Sequence, residues 1–139
     1  MELSCRPPAG PRGAVGAAAE DAAVEHLRRR GWLVLGRNLR VGRDEVDILA
    51  RESGDPAVTV VLEVRARSGP GYGAAVESVD ARKVARLYRA AWTWRREGHP
   101  ELPANDTSGS IWRVDLLTLR RAPDGRWRLE QHLRGLQPP

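Results

Sequence analysis

The sequence predicts a single α/β domain. Helical and strand-like segments alternate along its 139 residues, in the order helix, three strands, helix, two strands. Apolar residues recur at helical spacing in two of these segments, and the other five are short runs rich in β-branched and other apolar residues. A chain of this length can bury roughly 68–70% of its unfolded surface in one core, so a second domain is not expected.

The amino-terminal region is predicted to be a disordered arm followed by a helix. Residues 1–12 carry three prolines and no apolar periodicity, which is typical of a disordered arm. Residues 14–30 are alanine-rich, with Val24 and Leu27 on one stripe and a glycine directly after the segment, and this pattern indicates a helix. Residues 13–136 are therefore assigned to the single domain.

Three β-rich runs follow, and they are predicted to form a meander. These runs are residues 32–38, 44–51 and 57–67, separated by glycine-containing turns. A second helix is expected at residues 79–97, with Ser78 or Asp80 as its cap. After a polar loop, residues 111–119 and 126–133 flank a Pro-Asp-Gly turn and are predicted to form a β-hairpin.

The second predicted helix is amphipathic and carries a basic face. Its apolar stripe consists of Val84, Leu87, Ala91 and Trp94. The basic residues beside that stripe are Arg82, Lys83, Arg86 and Arg89. This face is a candidate for contacting nucleic-acid phosphates, and an ordinary solvated helix surface is nearly as good an interpretation. Arg67, at the end of the third strand, is a further candidate phosphate contact.

Acids on two neighbouring strands form the strongest candidate for a reactive site. Glu45 and Asp47 share one face of the second strand because side chains alternate along a strand. Pairing the second strand with the third can bring Asp47 beside Glu63. Neighbouring carboxylates need a proton or a cation between them, and hard oxygen ligands favour Mg²⁺ or Mn²⁺. The alternative is that these acids are solvent-facing partners of nearby arginines.

The chain is basic, and nearly all of its basic residues are arginine. The formal net charge of +5 favours an anionic partner such as nucleic acid, although a modest positive excess is also common in soluble proteins. Lysine occurs once, at Lys83, beside 22 arginines. A lone lysine in such a composition can mark a position that needs a compact, titratable ammonium, and chance survival explains it about as well.

Several other kinds of site are not expected. The single cysteine, Cys5, cannot form an internal disulfide or a cysteine zinc site, and it fits a reducing cytoplasm. The three histidines lack metal-ligand spacing. The glycine-rich loop at residues 69–74 contains a proline and lies far from the next helix, so no nucleotide cofactor is predicted. No apolar segment reaches signal-peptide or membrane-spanning length, so neither export nor membrane insertion is predicted.

Five short motifs occur in an order that resembles a known family. They are residues 36–40 (Gly-Arg-Asn-Leu-Arg), 45–50 (Glu-Val-Asp-Ile-Leu-Ala), 62–67 (Leu-Glu-Val-Arg-Ala-Arg), Lys83 and residues 113–115 (Arg-Val-Asp). This series resembles the YraN-like family of bacterial predicted endonucleases, within the PD-(D/E)XK nuclease superfamily. The resemblance extends over residues 13–133. It implies a restriction-endonuclease-like core, in which helices flank a mixed central sheet.

The resemblance also implies a metal-dependent nuclease site. Asp47 and Glu63 would bind Mg²⁺ or Mn²⁺, and the backbone carbonyl of Val64 would add a ligand. Glu20 would approach from the first helix. The implied reaction is hydrolysis of DNA phosphodiester bonds, at branched or flapped structures because no base-reading helix is evident. The oligomeric state stays open, and a homodimer is compatible with the superfamily.

One position departs from the superfamily pattern, which has lysine where this chain has Arg65. Arginine cannot lose its proton to act as a base, although it can hold a phosphate. Either Arg65 keeps an electrostatic role in an active site, or hydrolysis is lost and a nucleic-acid-binding module remains. Lys83 offers a third route to positioning phosphate or water, if the second helix brings it to the acids. An interaction protein on the same fold, binding neither metal nor DNA, is the remaining alternative.

Overall fold

The computed structural model describes residues 10–54, 56–67, 80–100, 102 and 111–138. The elements are α1 (Gly10–Arg29), β1 (Leu33–Val41), β2 (Asp44–Glu52), β3 (Val58–Arg67), α2 (Ala81–Glu97), β4 (Ile111–Arg121) and β5 (Trp127–Leu133). The strands form one sheet in the order β1-β2-β3-β4-β5. β3 and β4 pair in parallel, and the other neighbours pair antiparallel. The predicted α/β fold with a mixed central sheet is confirmed.

The strand directions follow from the connections between the strands. Short connections join β1 to β2, β2 to β3 and β4 to β5, and each of these pairs is antiparallel. The chain between β3 and β4 includes α2, and a crossover of that length allows the next strand to run parallel to the first. The predicted three-strand meander and the predicted terminal hairpin are therefore both present.

The two helices pack on opposite faces of the sheet. On one face, α1 packs Ala23, Val24 and Leu27 against Ile48, Leu62 and Leu117. On the other face, α2 packs Leu87, Ala91 and Trp94 against Leu49, Val61 and Val114. Val61 and Leu62 of β3 pack against different helices because successive side chains of a strand point to opposite faces of the sheet. Each fully buried aliphatic side chain stabilises this arrangement by roughly 1.5–3 kcal/mol, so both helices have fixed positions beside β2 and β3.

The helix boundaries differ from the predicted ones at both amino-terminal ends. α1 begins at Gly10, so residues 10–12, which the sequence assigned to the arm, are helical. Proline is tolerated in the first turn of a helix, because the N–H it lacks would have no partner there. α2 begins at Ala81, and the Asp80 side chain accepts a hydrogen bond from the Lys83 N–H at 3.0 Å. Asp80 is thus the cap, as one of the two predicted alternatives.

Three predicted features lie outside the described residues, namely most of the amino-terminal arm, Ser78 and the glycine-rich loop at residues 69–74. Within the part of the chain that the structure describes, none of the helices has the length and apolar character needed to cross a membrane.

Candidate active site

Two acidic side chains meet where β2 runs beside β3. The ladder between these strands pairs Ile48 with Leu62, which places Asp47 next to the residues that follow Leu62. The backbone N–H of Val64 donates to Asp47 Oδ2 at 2.8 Å. The Asp47 and Glu63 carboxyls also hydrogen-bond each other. The structure therefore brings together the two acids that strand pairing was expected to make neighbours.

Burial raises the pKa of both carboxyls. Burial raises the pKa of Glu63 to about 8, and the neighbouring Asp47 charge adds to this shift. Burial also raises the pKa of Asp47, although the hydrogen bond from Val64 opposes the change. Without a metal, the pair therefore shares a proton at neutral pH. This is the state expected of neighbouring carboxylates that have no cation between them.

Two cationic side chains flank Glu63, one from β3 and one from α2. Arg65 is two residues along β3, and its Nη2 atom lies 3.2 Å from Glu63 Oε2. Lys83 is in the first turn of α2, and its Nζ atom lies 3.6 Å from Glu63 Oε1. The Asp80 cap sets the start of α2 and thereby helps to place Lys83. The lone lysine of the chain thus reaches the acid pair. This contact was the condition under which Lys83 could position phosphate or water.

Glu20 approaches the acid pair from α1. Burial raises the pKa of Glu20 to about 7, and the Asp47 charge adds to the shift. The side chain of Asn38 hydrogen-bonds Glu20, and Arg37 Nη2 lies 3.7 Å from Glu20 Oε1. The same guanidinium is closer to Asp21, at 2.8 Å. Glu20 is therefore held near the pair with a carboxyl that can exchange a proton around neutral pH.

Asn38 is a site residue to which the sequence assigned no role. Its φ is 51°, and within the described ranges it is the non-glycine residue whose backbone adopts the left-handed conformation. Asparagine adopts this conformation more readily than most residues, because its short polar side chain can hydrogen-bond locally. Here its side chain bonds Glu20. The sequence signal was its position inside the motif at residues 36–40, but nothing in that motif names its partner.

The acid pair fits a divalent cation. Glu63 Oε1 is buried and has no hydrogen-bond partner among the described residues, and its ion-pair partner Lys83 lies 3.6 Å away, so this oxygen is available as a metal ligand. A cation at the pair would also replace the proton that the two carboxyls otherwise share. Within the described ranges, no three or more His, Cys, Asp or Glu side chains form a metal-binding group. In the metal-bound state that the resemblance implies, Asp47 and Glu63 would hold the ion together with solvent or phosphate oxygens, as is common for Mg²⁺. The carbonyl of Val64 stays a predicted ligand.

The arginines predicted to contact phosphates fall into two groups. Arg82 and Arg86 are exposed on α2 and are open to an anionic ligand. Arg89 instead donates two hydrogen bonds to the buried Asp44 carboxylate, at 2.8 Å from Nε and 2.7 Å from Nη2. Arg67 pairs with a glutamate of β5 at 3.5 Å. Arg89 therefore ties α2 to the start of β2, a role that the basic face of the helix did not reveal.

The family of the chain follows from a match that includes this site. A sequence model described as "Uncharacterised protein family UPF0102" matches residues 19–119, a segment that contains Glu20, the acid pair and Lys83. The chain belongs to the UPF0102 family. This family is the YraN-like group of predicted endonucleases, so the resemblance seen in the five sequence motifs is confirmed.

Curated UPF0102 proteins resemble the chain to different extents. The UPF0102 protein of Frankia alni is 39% identical over 122 residues, covering 88% of this chain and 92% of that protein. The one from Mycolicibacterium smegmatis is 38% identical over 109 residues, covering 78% and 82%. The one from Sorangium cellulosum is 49% identical over 84 residues, covering 60% of this chain and 56% of that protein. The match to the Sorangium protein thus spans little more than half of its length.

A solved structure also aligns with this UPF0102 chain, that of Pyrococcus furiosus SfsA in complex with Ca²⁺. The alignment has a TM-score of 0.39 and 16% sequence identity, and it covers 89% of this chain and 64% of that chain. A likeness of this strength carries no conclusion about the site.

Proposed function

We propose that this UPF0102 protein is a Mg²⁺- or Mn²⁺-dependent DNA endonuclease. The observation that supports this most is the buried acid pair of Asp47 and Glu63, with Lys83 at 3.6 Å and Arg65 at 3.2 Å from Glu63. Carboxyls with raised pKa values beside partly exposed cations are typical of functional sites. Acids that can hold a metal, together with cations that can hold a phosphate, suit metal-assisted phosphodiester hydrolysis.

The site residues would divide the chemistry among them. A divalent ion held by Asp47 and Glu63 would supply a Lewis acid that polarises the phosphate and lowers the pKa of water. Lys83 and Arg65 would hold the negative charge of the phosphate, since their side chains are 21% and 28% exposed and can reach a ligand. Glu20, whose pKa is about 7, would accept the proton that the attacking water releases.

A nucleic-acid substrate is proposed because of the charge around the site, and DNA because of the resemblance to predicted DNA endonucleases. Arg82 and Arg86 are exposed on the helix whose first turn carries Lys83, so they can contact phosphates next to the bond that is cut. Phosphate contacts position a protein on DNA without reading its sequence. The proposed enzyme would therefore select branched or flapped DNA by structure.

The proposal is tested by cleavage of labelled duplex, single-stranded, flapped and four-way-junction DNA, each with Mn²⁺, Mg²⁺ or EDTA. We expect the wild-type protein to cut flapped or branched DNA with metal and to cut nothing in EDTA. Asp47→Ala, purified in parallel, should bind the DNA without cutting it. Cleavage by Asp47→Ala would overturn the assignment. Binding without cleavage by the wild type would favour the alternative, a nucleic-acid-binding module in which Arg65 has replaced the superfamily lysine.

Lys83 is expected to supply the ammonium that the superfamily pattern places at position 65. Lys83→Arg should slow cleavage by about 10²-fold, because arginine keeps the charge but lacks the compact, titratable ammonium. Adding Arg65→Lys to that variant should restore most of the rate, since both side chains lie beside Glu63. Single-turnover cleavage of flapped DNA measures both effects.

The matched control for this exchange is Arg82→Lys, a conservative change at the exposed residue that precedes Lys83. It should leave the single-turnover rate near that of the wild type. An unchanged rate in Lys83→Arg would remove Lys83 from the reaction. A double variant as slow as Lys83→Arg would show that a lysine at position 65 cannot take over its role.

A further inference from the structure

We propose that a cleft between α2 and β4 binds an unpaired base of a nucleic-acid strand together with its phosphate. The inference rests on the proposed nucleic-acid substrate and names the part of that substrate which the cleft holds. The cleft has a volume of about 90 Å³ and is lined mainly by Tyr88, Trp92 and Arg95 of α2 and by Trp112 and Val114 of β4. None of these side chains belongs to the candidate active site.

Two tryptophans give the cleft the chemistry of a base-binding site. Trp92 is 56% exposed, so its indole offers a ring face that the fold does not use. Trp112 Nε1 is buried and has no hydrogen-bond partner among the described residues. An exposed ring face can stack on a base, and the second indole lines the same cleft.

Charge at the cleft selects an anionic ligand. α2 contains six basic residues and one acid. Arg95 Cζ lies 5.6 Å from the centre of the Trp92 ring, and Arg95 forms no ion pair within the described part of the chain. Arg89 of the same helix, by contrast, forms an ion pair with Asp44. Arg95 can therefore bond a phosphate while it stays stacked on Trp92. An aromatic face beside an unpaired cation fits a nucleotide better than an apolar peptide.

The ligand must be an unpaired strand, because the faces of paired bases are covered by their neighbours in the duplex. The helical rise separates Lys83 from Trp92 by about 14 Å along α2. At the duplex spacing of about 3.4 Å per nucleotide, this corresponds to about four nucleotides. Nine residues are two and a half helical turns, so the two side chains leave opposite sides of α2, and a strand with one base in the cleft needs more than these four nucleotides to reach the acid pair.

The experiment measures binding of a labelled short oligothymidylate by fluorescence anisotropy in EDTA. A probe of equal length with abasic sites keeps the phosphates and removes the bases. Trp92→Ala should weaken oligothymidylate binding by about 5- to 150-fold and leave the abasic probe unaffected, and Trp92→Phe should keep most of the affinity. Arg95→Met should weaken binding of both probes. The control is Leu33→Ala, which shortens another exposed apolar side chain outside the cleft.

An equal loss of affinity for the two probes in Trp92→Ala, or no loss for either, overturns the base-binding site and leaves the cleft to a protein partner. Trp92-dependent binding that is tighter to oligouridylate than to oligothymidylate supports the site and identifies RNA as its ligand. The result is independent of catalysis because EDTA removes divalent metal. Trp92-dependent binding by a protein that cuts no DNA would keep this inference and reject the endonuclease. Metal-dependent cutting of DNA by a protein whose binding does not depend on Trp92 would keep the endonuclease and reject the base-binding site.

Discussion

Glu63→Gln is expected to abolish metal-dependent cleavage and at the same time to stabilise the metal-free protein. Glutamine keeps the size of the side chain but is a poor ligand for a divalent cation, so the rate should fall by about 10⁴-fold. Stability should rise because burial, with the neighbouring Asp47 charge, raises the pKa of Glu63 to about 8. The ionised carboxylate is therefore unfavourable in the folded state. Opposite changes in activity and stability are typical of a residue retained for function.

The gain in stability should depend on pH in a defined way. Glu63 ionises near its ordinary value of 4.5 in the unfolded chain, whereas in the fold it keeps its proton until about pH 8. Between these values the folded state binds more protons, so the wild type loses stability as the pH rises through this window. Glu63→Gln lacks that loss. The difference in unfolding free energy should therefore be small below the ordinary pKa and reach about 1–3 kcal/mol near neutral pH.

Urea unfolding in EDTA, at several pH values across this window, measures the effect. The matched control is Glu25→Gln, the same change at an exposed residue of α1 that pairs with Arg29, and it should alter stability little at any pH. A destabilised Glu63→Gln would show that the pairs with Arg65 and Lys83 outweigh burial. Glu63 would then be a structural ion-pair partner.

The acid pair could be predicted from sequence because it depends on local regularities. Alternation along a strand fixes which side chains share a face, and short turns force β2 and β3 to be antiparallel neighbours. These two rules are enough to bring Asp47 close to Glu63. The apolar stripes of both helices could be predicted for a similar reason, because helical periodicity determines which residues face the sheet.

The positions of the cations could not be predicted in the same way. Whether Lys83 reaches Glu63 depends on where α2 lies across the sheet, which is set by packing between distant residues such as Leu87 and Val61. The pairing of Arg89 with Asp44 depends on the same placement. Periodicity assigns Arg89 to an exposed basic face but does not show that an acid from another element meets it there.

Asp115→Asn is expected to destabilise the protein strongly. Asp115 is fully buried. Its oxygens accept two hydrogen bonds from Arg113, at 2.7 and 2.9 Å, and one from the Gly135 N–H at 2.9 Å. His132 Nε2 lies 2.9 Å from the same carboxylate. Asparagine has one acceptor oxygen in place of two, so buried donors lose their partners. Removing one member of a buried charge network costs about 3–5 kcal/mol.

The pH dependence of this loss has the opposite sign to that at Glu63. Burial raises the pKa of Asp115, but the hydrogen bonds from His132, Arg113 and Gly135 lower it more, and the net pKa is below the ordinary value of 3.8. The stability that ionised Asp115 contributes is therefore complete above pH 3.8 and is lost as the pH falls through the folded pKa. The difference in unfolding free energy between wild type and Asp115→Asn should therefore shrink as the pH falls below about 4.

Urea unfolding at neutral pH, repeated under acidic conditions, tests this expectation. Asp124→Asn is the matched control, because Asp124 also accepts a backbone hydrogen bond, from Arg126 at 2.9 Å, but lies in an exposed turn. Asp124→Asn should lose much less stability than Asp115→Asn.

Metal binding by Asp115→Asn distinguishes a structural role from a role in the metal site. The hydrogen-bond partners of Asp115 come from β4, β5 and the segment after β5, so folded Asp115→Asn should bind Mn²⁺ as the wild type does. A stable Asp115→Asn that no longer binds Mn²⁺ would instead place Asp115 in the metal site.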